Sequence, residues 1–341
     1  MPSYDAERRT LLGGDTRPKG EPLMAALTES ITGVTGKAPR RARESYNRRE
    51  VIAGLLFISP WIVGFLVFTA GAMVYSLYLS FTNYDISTNL ASPVGTENYQ
   101  RILEDPKVAT SLSNTLFYAI MAVPLETCFA LFLASLLAKV KRGAGVFRVV
   151  YYLPKMTPPV AAAAVFLLLL NGNVGAINRG LALFGIQGPQ WLLDPNWVKP
   201  SIVLMAMWSV SGSMVILLAA LKRVPVEMYE SADVDGAPKI KQFFWITVPM
   251  ISSQLFFVVI VQTIAALQVF DQAYLLFYRD ATSSAPDAAL FYGVYLFQQA
   301  FQQFNMGFAA ALAWLLFVII LIISVIQIKV GNKLVFYEGN R

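Results

Sequence analysis

The chain contains no histidine and only one cysteine, Cys128. Without imidazole it lacks the commonest general base and the commonest metal ligand. A lone thiol can form neither an internal disulfide nor a zinc site, so Cys128 reads as a small apolar residue of a helix and no metal site is expected. Charge is scarce as well: Asp, Glu, Lys and Arg make up 14% of 341 residues, against about 25% in soluble domains. In their place 56% of the chain is hydrophobic, and the mean hydropathy is +0.54. That much apolar side chain has to face lipid.

Apolar runs fall near 51–80, 112–138, 148–171, 200–221, 252–277 and 306–329. Each is long enough for a bilayer, which needs about 20 helical residues. The expectation is an all-α membrane protein with six transmembrane helices. The formal net charge of +6 is unevenly spread. Twenty-one Lys and Arg fall in the N-terminal tail, between spans two and three, between spans four and five, and after span six. The alternate gaps hold five: Arg101, Lys107, Arg179, Lys199 and Arg279. Basic residues accumulate on the cytoplasmic side, so both termini are expected there, and the positive charge implies no nucleic-acid partner.

Residues 1–47 have no apolar period and read as a disordered basic tail. No apolar h-region precedes residue 51, so the first span is expected to act as the targeting signal. The stretch Gly33–Ala38 superficially matches a phosphate-binding loop. It fails because Ile31 stands where the first glycine must be and Ala38 where Ser or Thr must be. No nucleotide site and no cofactor are expected.

Between spans four and five lies a charged, glycine-broken loop, too polar to face lipid. Pro225 suits a helix start, with Glu227 and Glu230 near its positive dipole end. Gly236 suits a left-handed stop, and a second helix is expected from 238 to just before Pro249. The loop reads Glu230-Ser231-Ala232, three residues, Gly236, nine residues, Ile246-Thr247-Val248-Pro249. This resembles the coupling loop E-A-A-x3-G-x9-I-x-L-P of permease subunits of ATP-binding-cassette importers. Asp235-Gly236-Ala237, Phe270-Asp271, Pro154 with Pro158-Pro159, and Met306-Gly307 resemble the carbohydrate, maltose-like branch. The likeness runs from about residue 50 to the end of the chain. One departure is Tyr278-Arg279-Asp280-Ala281-Thr282, where the branch commonly carries Gly-Gly-Pro.

The resemblance implies a type-1 permease domain at 108–330, preceded by a first helix and external loop at 48–107 and followed by a cytoplasmic tail at 331–341. It implies a prokaryotic cytoplasmic membrane and a sugar, polyol or glycerol-phosphate as cargo. It implies four partners besides lipid: a second permease subunit, two ATPase subunits and an external solute-binding protein. Hydrolysis of ATP would occur on those ATPases, so the chain itself is not expected to be an enzyme. Glu230, Ser231, Ala232, Asp235, Gly236, Ala237, Ile246 and Pro249 would couple to them. Glu230 would contact a basic residue of an ATPase, and Gly236 would permit the turn.

Polar residues inside the spans are the remaining signal, because such groups are costly in lipid and default to a functional role. Gln268, Asp271 and Gln272 fall at i, i+3 and i+4 of the fifth run and are expected on one helical face, with Gln262 turned away from it by roughly 120°. Trp208, Ser209, Ser211 and Ser213 form a second set in span four. Amides, a carboxylate and an indole suit sugar hydroxyls and ring faces, so both sets are candidates for the substrate path. Equally, they can be interhelical hydrogen-bond partners. Glu126 either pairs structurally or lines the path, and Lys155 is expected to snorkel toward the interface. An ion-coupled secondary transporter is the alternative class. It usually shows an internal repeat, and none is visible here.

Overall fold

The computed structural model describes residues 48–85, 90–140, 142–278 and 285–334. The expectations for the tail at 1–47, for Arg279–Thr282 and for residues beyond 334 lie outside these. The chain separates into two units, Met1–Leu66 and Val67–Arg341. In the first, the helix beginning at Arg48 carries apolar side chains and buries none of its residues up to Gly64. Trp61 stacks on Phe65 with ring centroids 5.7 Å apart.

That helix, α1 (Arg48–Leu79), is covalently continuous into the second unit, where β1 (Thr82–Asp85) and β2 (Leu90–Pro93) form an antiparallel hairpin. The expectation of a purely α-helical chain is corrected to this extent. The hairpin persists because it is held from outside its own ladder. Asn98 Nδ2 donates to the carbonyls of Ser80 and Thr82, both at 2.9 Å. The next elements are α2 (Glu97–Glu104) and the long α3 (Pro106–Lys139). Asp105 caps α3 by accepting from Lys107 N–H at 2.9 Å, and Pro106 occupies its first turn. Its 34 residues give roughly 51 Å at 1.5 Å per residue, more than a hydrocarbon core requires.

Around α3 pack α4 (Ala144–Met156), α7 (Pro195–Trp208), α8 (Ser211–Leu221) and α11 (Ser252–Leu267), while α5 (Pro159–Leu169) joins them through the shared core and has the short α6 (Ala176–Ala182) beside it. The main core gathers Tyr118 and Ala122 of α3, Phe166 of α5, Ile202 of α7 and Leu267 of α11. Further along α3, Ala130, Leu133 and Leu137 meet Met214 and Leu217 of α8 and Val258 of α11. Near its start, Val108 joins Tyr292 and Tyr295 of α13 (Tyr292–Phe297) and Leu312 of α14 (Met306–Leu334).

Among the described residues, three helices are long and apolar enough to cross a membrane: Arg48–Leu79, Pro106–Lys139 and Met306–Gly331. Three bent pairs pass the same test together. They are Gly145–Met156 with Pro159–Leu169 at 95°, Pro195–Trp208 with Ser211–Leu221 at 52°, and Lys239–Met250 with Ser252–Leu267 at 72°. Counting each pair as one span gives six. The sharpest bend falls at Thr157-Pro158, where the proline ring removes a donor and blocks helical geometry before it.

The fifth apolar run departs from expectation. Its helix stops at Leu267 and restarts as α12 (Asp271–Phe277). No glycine or proline lies in 252–277, so tertiary packing is the cause. The carbonyl of Val269 lies where a side chain on Gly293 would stand, 2.9 Å from that glycine's would-be Cβ. The Phe270 ring sits against Tyr274 and Phe297 at 5.4 and 5.1 Å. Phe270 takes φ −138°, ψ −64°, outside the helical region.

Candidate functional site

Two regions carry the residues singled out by sequence. The first is the polar loop. Its helix α9 (Val226–Val234) starts after Pro225 and ends at Gly236, which has φ +71°. Ala237 N–H donates to Ala232 O at 2.9 Å and Gly236 N–H to Asp233 O at 3.1 Å. This pair of bonds satisfies the last carbonyls, as a Schellman turn does. Helix α10 (Lys239–Met250) follows, with a π turn at Phe243–Thr247. It does not stop before Pro249 but runs through it. The π turn displaces the preceding carbonyls that the proline ring would otherwise meet.

Residues outside the motif tie the two loop helices together. Lys239 Nζ contacts both carboxylate oxygens of Asp233 at 2.7 and 2.9 Å. Gln242 Nε2 donates to Asp233 Oδ1 at 2.5 Å and to Ala237 O at 2.9 Å. Tyr229 and Thr247 share a hydroxyl–hydroxyl bond of 2.8 Å. Hydrogen bonds from Lys239 and then Gln242 hold the Asp233 carboxyl below its ordinary range, with the Lys239 charge adding to this. The sequence carries no local mark of these ties, because pairing across the turn depends on where the second helix is aimed.

Of the motif residues, Glu230 and Asp235 are exposed and unobstructed. Ser231 is turned back onto its own helix, donating to Glu227 O at 2.9 Å. Ala232 and Ala237 supply the turn's backbone bond. Ile246 packs against the buried cluster of Ala220, Val224 and Ile251, seating α10 on α8 and α11. Pro249 is exposed within α10.

The second region is a polar cavity of about 340 Å³ between α3, the α4 bend, α8 and α11. Ser209 and Gln272 line it, together with Glu126, Lys155, Ser213 and Gln262. A smaller cavity of about 110 Å³ adjoins these residues and brings Trp208 together with Ser209, Gln272 and Lys155. Lys155 therefore stands at the α4–α5 bend facing polar space, and Glu126 lines the same cavity as Lys155. Ser211 instead lines a separate, mostly apolar cavity of about 630 Å³.

The shared face expected for Gln268, Asp271 and Gln272 does not form, because the helix breaks between the first and the other two. Gln268 and Asp271 are exposed and line none of these three cavities; Gln272 lines the polar ones. Gln262, which helical geometry turned away from that face, is central instead. It accepts from Thr127 Oγ1 at 2.5 Å and donates to Ser213 Oγ at 3.1 Å. This chain of amide and hydroxyls fastens α3, α8 and α11 to one another beside the cavity.

A bundle of bent apolar helices with a rigid polar loop and a polar cavity is the frame of a transport permease. Residues 126–330 match the family described as binding-protein-dependent transport system inner membrane component, and the chain belongs to it. It is thus a membrane subunit of an ABC importer. A probable ABC transporter permease protein of Bacillus subtilis, YesP, is 37% identical over 311 residues, 91% of this chain and 99% of that protein. The lactose transport system permease protein LacF of Rhizobium radiobacter is 30% identical, covering 86% and 98%. The fold is similar to a crystal structure of a bacterial ABC transporter involved in alginate import. The TM-score is 0.72 at 21% identity, over 84% of this chain and 96% of that one.

Proposed function

We propose that this chain is one of two permease subunits of an ATP-driven importer for a sugar or related polyol. Each bent helix pair counts as one span, giving six, with both termini and the α9–α10 loop in the cytoplasm. The permease domain occupies 108–330, and the hairpin and the 172–199 segment face the opposite side, where a solute-binding protein would dock.

The observation that carries the proposal is the loop's build. An exposed Glu230 sits on a short helix whose end is fixed by Gly236 and whose flank is clamped to α10 by Asp233, Lys239 and Gln242. Ile246 then anchors α10 to the bundle. A rigid helix seated in a groove of an ATPase transmits rigid-body motion, whereas a compliant loop would absorb it. The cargo class rests on relatives such as the lactose permease subunit and on the amides, hydroxyls and indole of the polar cavities. Gln272, Trp208 and Ser209 are the path residues this reading keeps. Gln268 and Asp271 are exposed and line none of the three cavities.

Reconstitution of the chain with its partner permease, ATPases and binding protein is expected to give saccharide uptake that requires ATP. Glu230→Lys should lower uptake and ATPase co-purification while leaving membrane insertion intact. Uptake by this chain alone under an ion gradient, or co-purification indifferent to both Glu230→Lys and Gly236→Pro, would overturn the reading.

A further inference from the structure

Lys155 occupies the last turn of α4, at the 95° bend, and lines both polar cavities. It is exposed within this chain. An ammonium at a span's bend cannot be left facing lipid, so it has to meet water, cargo or another charge. In the larger cavity Glu126 lies on the wall with it. In the smaller one Lys155 is the sole ionisable side chain among the described residues, and its polar companions are Thr157, Ser209 and Gln272 beside the Trp208 indole.

That smaller site combines one fixed cation, three neutral hydrogen-bonding groups and an aromatic face. We propose that Lys155 makes the path selective for saccharides carrying a carboxylate, of the uronate type. This inference rests on the sugar-importer reading above. A sugar carboxylate forms a charge-assisted bond to the ammonium, stronger than the bond a hydroxyl makes there. The indole takes the apolar ring face, and the amide and hydroxyls take the ring hydroxyls.

The complete complex, in liposomes with ATP and its binding protein, should be given digalacturonate and its neutral counterpart galactobiose. The wild type is expected to favour the acidic disaccharide. Lys155→Gln should reduce its uptake by about tenfold or more, the equivalent of one charge-assisted bond, while changing galactobiose uptake by less than about twofold. Lys155→Arg should retain the preference. Three outcomes overturn the inference while leaving the sugar-importer reading in place. These are uptake of galactobiose alone by the wild type, equal loss of both sugars in Lys155→Gln, and failure of Lys155→Gln to assemble with the second permease, which would make Lys155 a subunit contact. ATP-driven uptake of neither disaccharide overturns the inference alone; the wider reading falls only if uptake of sugars and polyols by the complete complex does not require ATP.

Discussion

Gly236 and Asp233 stabilise the loop by different physics. No atom lies within 4 Å of a Cβ built on Gly236, so space is not the constraint; its φ of +71° is. An L-residue there costs about 1–2 kcal/mol of backbone strain, which is why a glycine closes α9. Asp233 works by charge. Its partners depress the folded-state pKa below the ordinary 3.8. A depressed carboxylate pKa contributes stability that is present above the unfolded value and is lost as pH falls through the folded one. Amide protection factors across 226–250, corrected for intrinsic exchange, should therefore hold steady from neutral pH to about pH 4 and fall below it. In Asp233→Asn they should be lower already at neutral pH and insensitive to that acid range. Since Asp233 and Lys239 are both exposed, added salt should weaken the tie in the wild type. The glycine was legible in the sequence because a left-handed stop has a residue signature. The Asp233 clamp was not, because charge pairing across a turn depends on where the second helix is aimed.

Elements bend and break where neighbours demand it, and only some of those demands are written locally. Pro154, Pro158 and Pro159 announce the bend between α4 and α5, though not its 95°. The break between α11 and α12 has no local mark; it follows from the close approach of Val269 to Gly293 and from the Phe270 ring contacts. This is why a helical wheel placed Gln268 with Gln272 and turned Gln262 away, whereas the structure separates the first pair and uses the third. Gly307 shows the same rule at a glycine. In the sequence Met306-Gly307 was only a weak family likeness. In the fold, a Cβ there would stand 2.0 Å from Thr82 O and 3.1 Å from Tyr84 N, both backbone atoms that no rotamer change can move. Gly307→Val should push the hairpin off α14 and destabilise the purified complex by about 1–3 kcal/mol, as overpacking does. Gly180→Ala is the control: it lies in α6 with nothing within 4 Å and should be neutral or slightly stabilising. Thermal unfolding of the two variants side by side checks the contrast. An unchanged midpoint in Gly307→Val would mean that the hairpin is not seated on α14 in the membrane.

For the whole molecule the decisive quantity is sidedness, since a loop that couples to ATP is useful only where ATP is. The sidedness proposed above follows from one asymmetry, twenty-one basic residues against five in alternating gaps. The fold sharpens what that asymmetry has to explain. Because α3 starts beside the hairpin's neighbours and packs near the α9–α10 loop around Leu131, the two regions belong to opposite ends of one 34-residue helix. If the helix spans, the regions lie on opposite sides. Cys128 is the only cysteine, so Cys128→Ala provides a cysteine-free background in which single probes are unambiguous. Ser92→Cys in β2 and Ser231→Cys in α9 are both at exposed positions. A membrane-impermeant maleimide applied to right-side-out cells should label Ser92→Cys and spare Ser231→Cys, and inverted vesicles should give the reverse. Labelling of both from one side would remove α3 as a spanning helix. The reversed pattern would put Glu230 away from any cytoplasmic ATPase and leave the rigid loop with nothing to couple.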